Sequence, residues 1–250
     1  MTAAACAGLL AVTGCSGSDG GSGDDQQKTT VTVFAAASLT DVFGELEKDF
    51  EAEHPDVDIV LTTGGSPSLV TQIDQGAPAD VLATADEANM KDATDKKLVE
   101  SPQTFATNEL AIAVAPGNPH HIKNLASLEN PDLLTVRCAA PVPCGSVSDA
   151  VLKDAGVTLK PASEEQSVTD VLTKVTAGEA DAGLVYVTDV KRAGDKAEAV
   201  AIPEAADHAT DYPIAVASES EHPDLAQDFI DLVRSDKGMK VLKDAGFGAP

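Results

Sequence analysis

Continuous or alternating apolar stretches take turns along this chain with stretches of helical apolar spacing, and the alternation predicts an α/β fold. Residues 31–35 (VTVFA) read as a buried strand rich in β-branched side chains. Leu39, Val42, Phe43, Leu46 and Phe50 then follow at helical spacing, and Pro55 closes that helix. Residues 57–61 (VDIVL) predict the next strand. Gly64 and Gly65 turn the chain, and Ser66 as N-cap with Pro67 at the first helical position opens another helix. A short strand over 80–83 and a charged helix over 87–97 end this first cycle. Its β-α-β-α-β order implies a parallel sheet with helices on both faces.

Residues 109–115 (ELAIAVA) form another strong strand, ended by Pro116-Gly117-Asn118-Pro119, and a second cycle follows. A strand over 134–138 leads through a Pro-rich loop to a helix from Gly145. Ser167 caps a helix from Val168, with Asp170 three residues on. Strands over 182–187, 200–202 and 213–217 and amphipathic helices over 225–234 and 237–245 complete the chain. Two α/β cycles of similar size predict two lobes with a cleft between them. The first lobe takes 31–113 and the returning segment 212–250, the second takes 114–211, and the two crossings act as a hinge.

The start of the chain points to a compartment. Residues 3–12 (AAACAGLLAV) are apolar but too few to span a bilayer, which takes ~20 residues. They read as the core of a signal peptide over 1–14. Val12-Thr13-Gly14-Cys15 resembles the bacterial lipobox, whose Cys is lipidated and becomes the new N-terminus, although no Lys or Arg precedes the apolar run. Residues 15–30, with SGSDGGSGDDQQ, form a polar tether that cannot bury a core. The expectation is an extracytoplasmic domain held to the membrane through Cys15. With Cys6 removed and Cys15 lipidated, Cys138 and Cys144 remain. An oxidising compartment favours a disulfide between them; a redox pair and a metal site are the alternatives, the latter wanting further Cys or His close by.

Composition removes several classes. The 250 residues carry 17 Lys and Arg against 41 Asp and Glu, a net charge of −24. Nucleic-acid surfaces need clustered Lys and Arg, so that class is excluded. Disorder throughout is excluded by 43% apolar residues at regular spacings. Six Phe, two Tyr and no Trp leave little for a groove that stacks sugars or bases.

Candidate chemistry gathers at four junctions where a strand or loop delivers a small or polar residue to a helix start. They are Ala37-Ser38, Gly65-Ser66, Cys144-Gly145 and Ser167-Val168. A helix start offers unpaired N–H groups and partial positive charge, and so binds anions without a charged side chain. Taken singly, each junction is ordinary capping.

The run Phe34-Ala35-Ala36-Ala37-Ser38-Leu39-Thr40 resembles the opening motif of the molybdate-binding proteins of ABC importers. So do Gly65-Ser66-Pro67-Ser68-Leu69 and Gly76-Ala77-Pro78-Ala79-Asp80. In the second lobe the likeness continues at Val142-Pro143-Cys144-Gly145, Ser167-Val168 and Gly183-Leu184-Val185-Tyr186. It ends with Tyr212-Pro213-Ile214-Ala215-Val216 and Gly246-Phe247-Gly248, and covers essentially all of 31–250. The resemblance implies a two-lobed periplasmic-binding-protein-like fold of type II, with the ligand in the interlobe cleft. It implies an oxyanion held by the hydroxyls and N–H groups of Ser38 and Ser66, the N–H groups of Cys144 and Val168, and the hydroxyl of Tyr186. Two positions depart from the family pattern: Pro67 removes a donor beside Ser66, and Cys144 stands where a small residue such as Ala is common.

Other classes compete less well. A serine hydrolase needs a base near Ser38 or Ser66, and neither lies in a G-x-S-x-G elbow. His54, His120, His121, His208 and His222 fall in polar or Pro-flanked stretches, and no P-loop or dinucleotide fingerprint appears. The remaining alternatives are a binding protein of the same fold for sulfate, phosphate or a metal ion, and a surface lipoprotein outside transport. The reading is a monomeric, non-enzymatic solute-binding lipoprotein that takes molybdate and tungstate to an ABC transporter permease. It needs no cofactor, its only metal is the molybdenum of its ligand, and it binds no nucleic acid.

Overall fold

The computed structural model describes residues 28–250. The expected signal peptide over 1–14, the lipidated Cys15 and most of the 15–30 tether lie outside the described residues. Strand β1 (Thr29–Ala36) begins two residues ahead of its expected start, so a tether reaching residue 30 is corrected. A 3-10 turn (Ala37–Leu39) runs into α1 (Thr40–Glu53), followed by β2 (Val57–Gly64), α2 (Ser66–Asp74), β3 (Val81–Ala83), α3 (Glu87–Asp95) and β4 (Val99–Asn108). Next come β5 (Leu110–Val114), β6 (Thr135–Cys138), α4 (Pro143–Asp154), β7 (Ser163–Glu165) and α5 (Val168–Thr176). After them run β8 (Ala182–Tyr186), α6 (Val187–Ala193), β9 (Glu198–Ala201), β10 (Thr210–Ala217), α7 (Pro223–Arg234) and α8 (Asp236–Ala245).

Helical spacing decides which faces are buried. In α1 the buried residues are Val42, Phe43, Leu46 and Phe50; in α7 they are Ala226, Phe229, Ile230 and Val233. These two faces meet in an aromatic cluster, with Phe43 and Phe50 each 5.7 Å from Phe229 and edge-on to it. In the other lobe α5 buries Val168, Val171, Leu172 and Val175 over its own sheet.

Each lobe is built on one five-stranded sheet, ordered β2-β1-β3-β10-β4 in the first and β7-β6-β8-β5-β9 in the second. The two orders are topologically equivalent: β1, β2 and β3 run parallel to one another, as do β6, β7 and β8. In each sheet one strand lies antiparallel between its neighbours, β10 in the first and β5 in the second. The expected all-parallel sheets are therefore corrected to mixed ones. Both antiparallel strands begin directly after the chain crosses between lobes, and this sets the lobe boundaries. Strand β5 pairs with β8 and β9, so the first crossing falls between Asn108 and Glu109, ahead of the expected boundary at 113. The second falls before Thr210, where β10 begins, ahead of the expected 212.

Three elements are absent from the sequence reading. Strand β4 lacks apolar alternation, contains Pro102, holds Ser101 at a φ of 46° and pairs with β10 through two irregularities. Strand β7 is three polar residues at a sheet edge, and α6 starts directly where β8 ends.

Candidate oxyanion site

The helix starts that follow β1, β2, β6 and β7 all line one small cleft between the lobes. They lie beyond the carboxyl ends of the parallel strands, where open α/β sheets collect ligands. Ser38, Ser66, Cys144, Val168 and Tyr186 all line this cleft, and all five are buried. None of the cleft's lining residues carries a charged side chain. Ser38 and Ser66 come from the first lobe; Cys144, Val168 and Tyr186 come from the second.

Local sequence leaves the donors free. The first N–H groups of a helix have no intrahelical acceptor. The capping residues Ala36, Gly65 and Val142 provide no side-chain bond to them. Ser167 does cap α5, accepting from Asp170 N at 3.2 Å, which leaves the N–H of Val168 before it uncapped. Ser66 is not the N-cap expected for α2. Gly65 holds that place, Ser66 is the first helical residue and Pro67 the second, where the missing N–H is no loss. The Ser66 Oγ instead accepts from Ala85 N at 3.2 Å, and its own proton remains to donate. Helix α4 starts at Pro143 rather than at Gly145, because Pro suits the first turn. Gly145 is needed there for closeness: a Cβ would stand 2.0 Å from the Ala139 carbonyl oxygen.

Tyr186 ends β8 and caps α6. The residue lines the cleft, and its buried hydroxyl has no hydrogen-bond partner among the described residues. Burial, then the neighbouring Tyr212, Asp86 and Asp189, pushes its pKa well above the ordinary value, so it stays a neutral donor. Its backbone N–H donates to Asp189 Oδ2 at 3.1 Å, and Asp189, fully buried, pairs through Oδ1 with Arg192 at 2.9 Å. Burial raises the Asp189 pKa while Arg192 opposes the rise. Beside Cys144, a disulfide joins it to Cys138 with the Cα atoms 5.6 Å apart, tying the start of α4 to the end of β6. The lobes meet next to the cleft, where a Cβ on Gly65 would lie 2.1 Å from the Gln166 carbonyl oxygen.

The other candidates lie elsewhere. No His lines the cleft; His120 pairs with Asp181 at 2.9 Å and His208 with Asp154 at 2.7 Å, both outside it. Ser38 contacts the Tyr212 hydroxyl and Ser66 the Ala85 N–H, so neither serine has a carboxylate or imidazole beside it to activate it as a nucleophile. No cluster of metal-ligating side chains exists among the described residues. A larger cleft, of about 850 Å³, lies at the opposite end of the first sheet, near Lys28, Lys96 and Asp80. The Asp80 carboxylate there is already engaged by Thr32 N and Ser220 Oγ.

Sequence reasoning passed over the groups that orient the serines: Ala85, Asn108, Thr210 and Tyr212. The Tyr212 hydroxyl lies 2.9 Å from Ser38 Oγ, although 174 positions separate the two residues. No local pattern signals such a contact.

Comparison with known proteins agrees with this architecture. Residues 31–248 match the family described as bacterial extracellular solute-binding protein. A protein of Mycobacterium tuberculosis H37Rv named molybdate-binding protein ModA is 41% identical over 251 residues, covering all of this chain and 96% of the relative. A Bacillus subtilis protein described as a putative ABC transporter substrate-binding lipoprotein, YvgL, is 30% identical, covering 98% of this chain and 96% of the relative. The solved Azotobacter vinelandii periplasmic molybdate-binding protein superposes with a TM-score of 0.77 at 20% identity, over 88% of this chain and 99% of that one, which establishes the shared fold. The relatives are transport proteins and not enzymes, and the chain belongs to the bacterial extracellular solute-binding protein family.

Proposed function

We propose that this protein captures molybdate, and tungstate equally, outside the cytoplasm and delivers it to the permease of an ABC importer. One observation carries the reading: Ser38, Ser66 and Tyr186, the last with a partnerless hydroxyl, and three helix starts that no side chain caps line a buried cleft without charged side chains. A tetrahedral dianion loses its hydration on entering such a cleft, a severe penalty unless hydrogen bonds replace the water. Each bond to a charged group contributes about 1.5–3 kcal/mol, so several neutral donors offset the loss. Ser38, Ser66, Cys144, Val168 and Tyr186 are the donors, and the molybdate-binding relative supports molybdate as the ligand. With no salt bridge to break, release needs only the lobes to part, and their closure is what the transporter reads.

The protein works as a monomer held by a lipid on Cys15, in keeping with the lipoprotein description of the Bacillus relative. No helix among the described residues is long and apolar enough to cross a membrane. The surface charge of −24 does not bar the anion at physiological salt, where fields are screened over ~8 Å.

Thermal melts and calorimetric titration with molybdate, tungstate, sulfate and phosphate test the reading. At a concentration ~100 times the dissociation constant, a ligand stabilises the protein by about 2.7 kcal/mol. Molybdate and tungstate should raise the melting temperature alike. Sulfate, with shorter bonds, cannot reach the donors of both lobes. Phosphate at neutral pH carries a proton with no acceptor to receive it, a cost of about 1–3 kcal/mol. Equal shifts for all four anions would mean general salt relief and end the proposal; a shift with sulfate or phosphate alone would assign the cleft to that anion.

A further inference from the structure

Asn108 is the last residue of β4, and Tyr212 lies near the start of β10, so the two stand at the two crossings between lobes. Both are buried. Backbone geometry orients the Asn108 amide: the Glu109 N–H donates to its Oδ1 at 3.0 Å. Its NH2 group is thereby turned to Thr188 Oγ1 at 2.8 Å and to the Tyr212 hydroxyl at 3.3 Å. A phenol has one proton. Ser38 Oγ lies 2.9 Å from the Tyr212 oxygen, a contact in which either hydroxyl can donate; the Asn108 NH2 already donates onto that oxygen, which favours Tyr212 as the donor to Ser38. Burial raises the Tyr212 pKa above its ordinary value, so the proton is retained. A Ser38 Oγ that receives this proton keeps its own to give to the cleft.

Ser66 reaches the same state by a parallel route. Thr210, two positions before Tyr212 on the same strand, donates its hydroxyl to the Ala85 carbonyl at 2.7 Å, and Ala85 N donates to Ser66 Oγ. The first residues of β10 therefore bear on both serines, one through a side chain and one through a held loop.

We propose that Tyr212 and Asn108 are positioning residues that hold Ser38 as a hydrogen-bond donor, and that they thereby set the cleft's preference for an oxyanion without protons. The inference rests on the reading of the cleft as an oxyanion site. A serine free to rotate accepts as well as donates and tolerates a protonated anion; a serine already receiving the Tyr212 proton is committed to giving.

A double-mutant cycle in the full chain tests this, with sodium molybdate as the calorimetric probe and phosphate at pH 7 as competitor. Tyr212→Phe removes the hydroxyl and keeps the ring, which packs edge-on against Phe105, Tyr186 and Phe247. In the parent background it should weaken molybdate binding about tenfold, the worth of one charge-assisted bond, and make phosphate a relatively better competitor. In the Ser38→Ala background the same substitution should change molybdate affinity less than about twofold. A merely structural role would lower affinity equally in both backgrounds and leave the molybdate-to-phosphate ratio as it was; either result overturns the proposal, as does parent-like binding by Tyr212→Phe. Should Tyr212→Phe melt without cooperativity, Asn108→Ala takes its place in the cycle with the same expected non-additivity. A folded parent that binds no oxyanion removes the site reading and this inference together, whereas a binding parent with additive losses removes the inference alone.

Discussion

The two lobes face the cleft from equivalent points of equivalent sheets but meet it with different chemistry. After β1 and β2 the first lobe presents Ser38 and Ser66, whose hydroxyls can donate or accept. After β6 and β7 the second lobe presents the helix starts at Cys144 and Val168, whose N–H groups can only donate, and a single hydroxyl, that of Tyr186, at the end of β8. A backbone donor needs to be placed; a hydroxyl needs to be placed and also turned. The supports differ accordingly. In the second lobe they are covalent and packing devices: the Cys138–Cys144 disulfide, the close-set Gly145, the Ser167 cap and the Asp189–Arg192 pair under Tyr186. In the first lobe they are hydrogen bonds: the Tyr212 hydroxyl to Ser38 Oγ, and the Ala85 N–H onto Ser66 Oγ. Damage to the second lobe's supports should therefore appear first as lost stability, and damage to the first lobe's donors as lost affinity.

The largest effect is expected from Arg192→Met, which leaves the fully buried Asp189 without its cation. Breaking a buried pair from one side costs about 3–5 kcal/mol, so a denaturant midpoint should fall far below the parent's. A midpoint within experimental error of the parent would contradict this account of the second lobe. Ser66→Ala is the opposite case. It should lose about 1.5–3 kcal/mol of molybdate binding, about tenfold or more in affinity, while the apo melting temperature falls less than in Arg192→Met, because only the Ala85 N–H loses its acceptor. If the affinity stays and the melting temperature drops, the roles of the two lobes are reversed.

Reducing the disulfide should cost about 2 kcal/mol of stability through the short loop it closes, and should weaken binding through Cys144. Melting and titration in reductant, with alkylation to verify two free thiols, check this; unchanged curves would make the crosslink irrelevant to the site. The smallest effect concerns pH. A phenol whose pKa is raised on folding contributes stability that is fully present below its ordinary pKa of about 10 and lost as pH rises through the folded value. Tyr186 and Tyr212 are both shifted in that direction, so molybdate affinity should stay flat from pH 7 to 9.5 and stability should fall only in stronger alkali. A tenfold loss of affinity by pH 9 would show a donor titrating in that range.

How far the sequence could be read follows the same division between placement and orientation. Apolar periodicity foretold α1, α5 and α7 with their buried faces, and β-branched runs foretold β1, β2, β5 and β8, because those signals lie within one element. Strand β4 carried no such signal, since what makes it a strand is its pairing with β10, which the chain reaches only after passing through the whole second lobe. The four helix starts were visible as junctions, but spacing alone left each as ordinary capping, and only the family resemblance joined them to Tyr186 in one site.

The sequence by itself determined the alternation of strands and helices, the two α/β cycles, the neutral character of the helix-start donors and the membership of the family. Tertiary structure alone decided that both sheets are mixed, that the crossings fall at Asn108–Glu109 and before Thr210, and that Ser66 is oriented by Ala85 instead of capping its helix. The physical reason is range. Helix starts and apolar faces are encoded within a few residues of where they act, whereas the hydroxyl that meets Ser38 belongs to a residue 174 positions away, brought within 2.9 Å only when β10 returns to the first sheet.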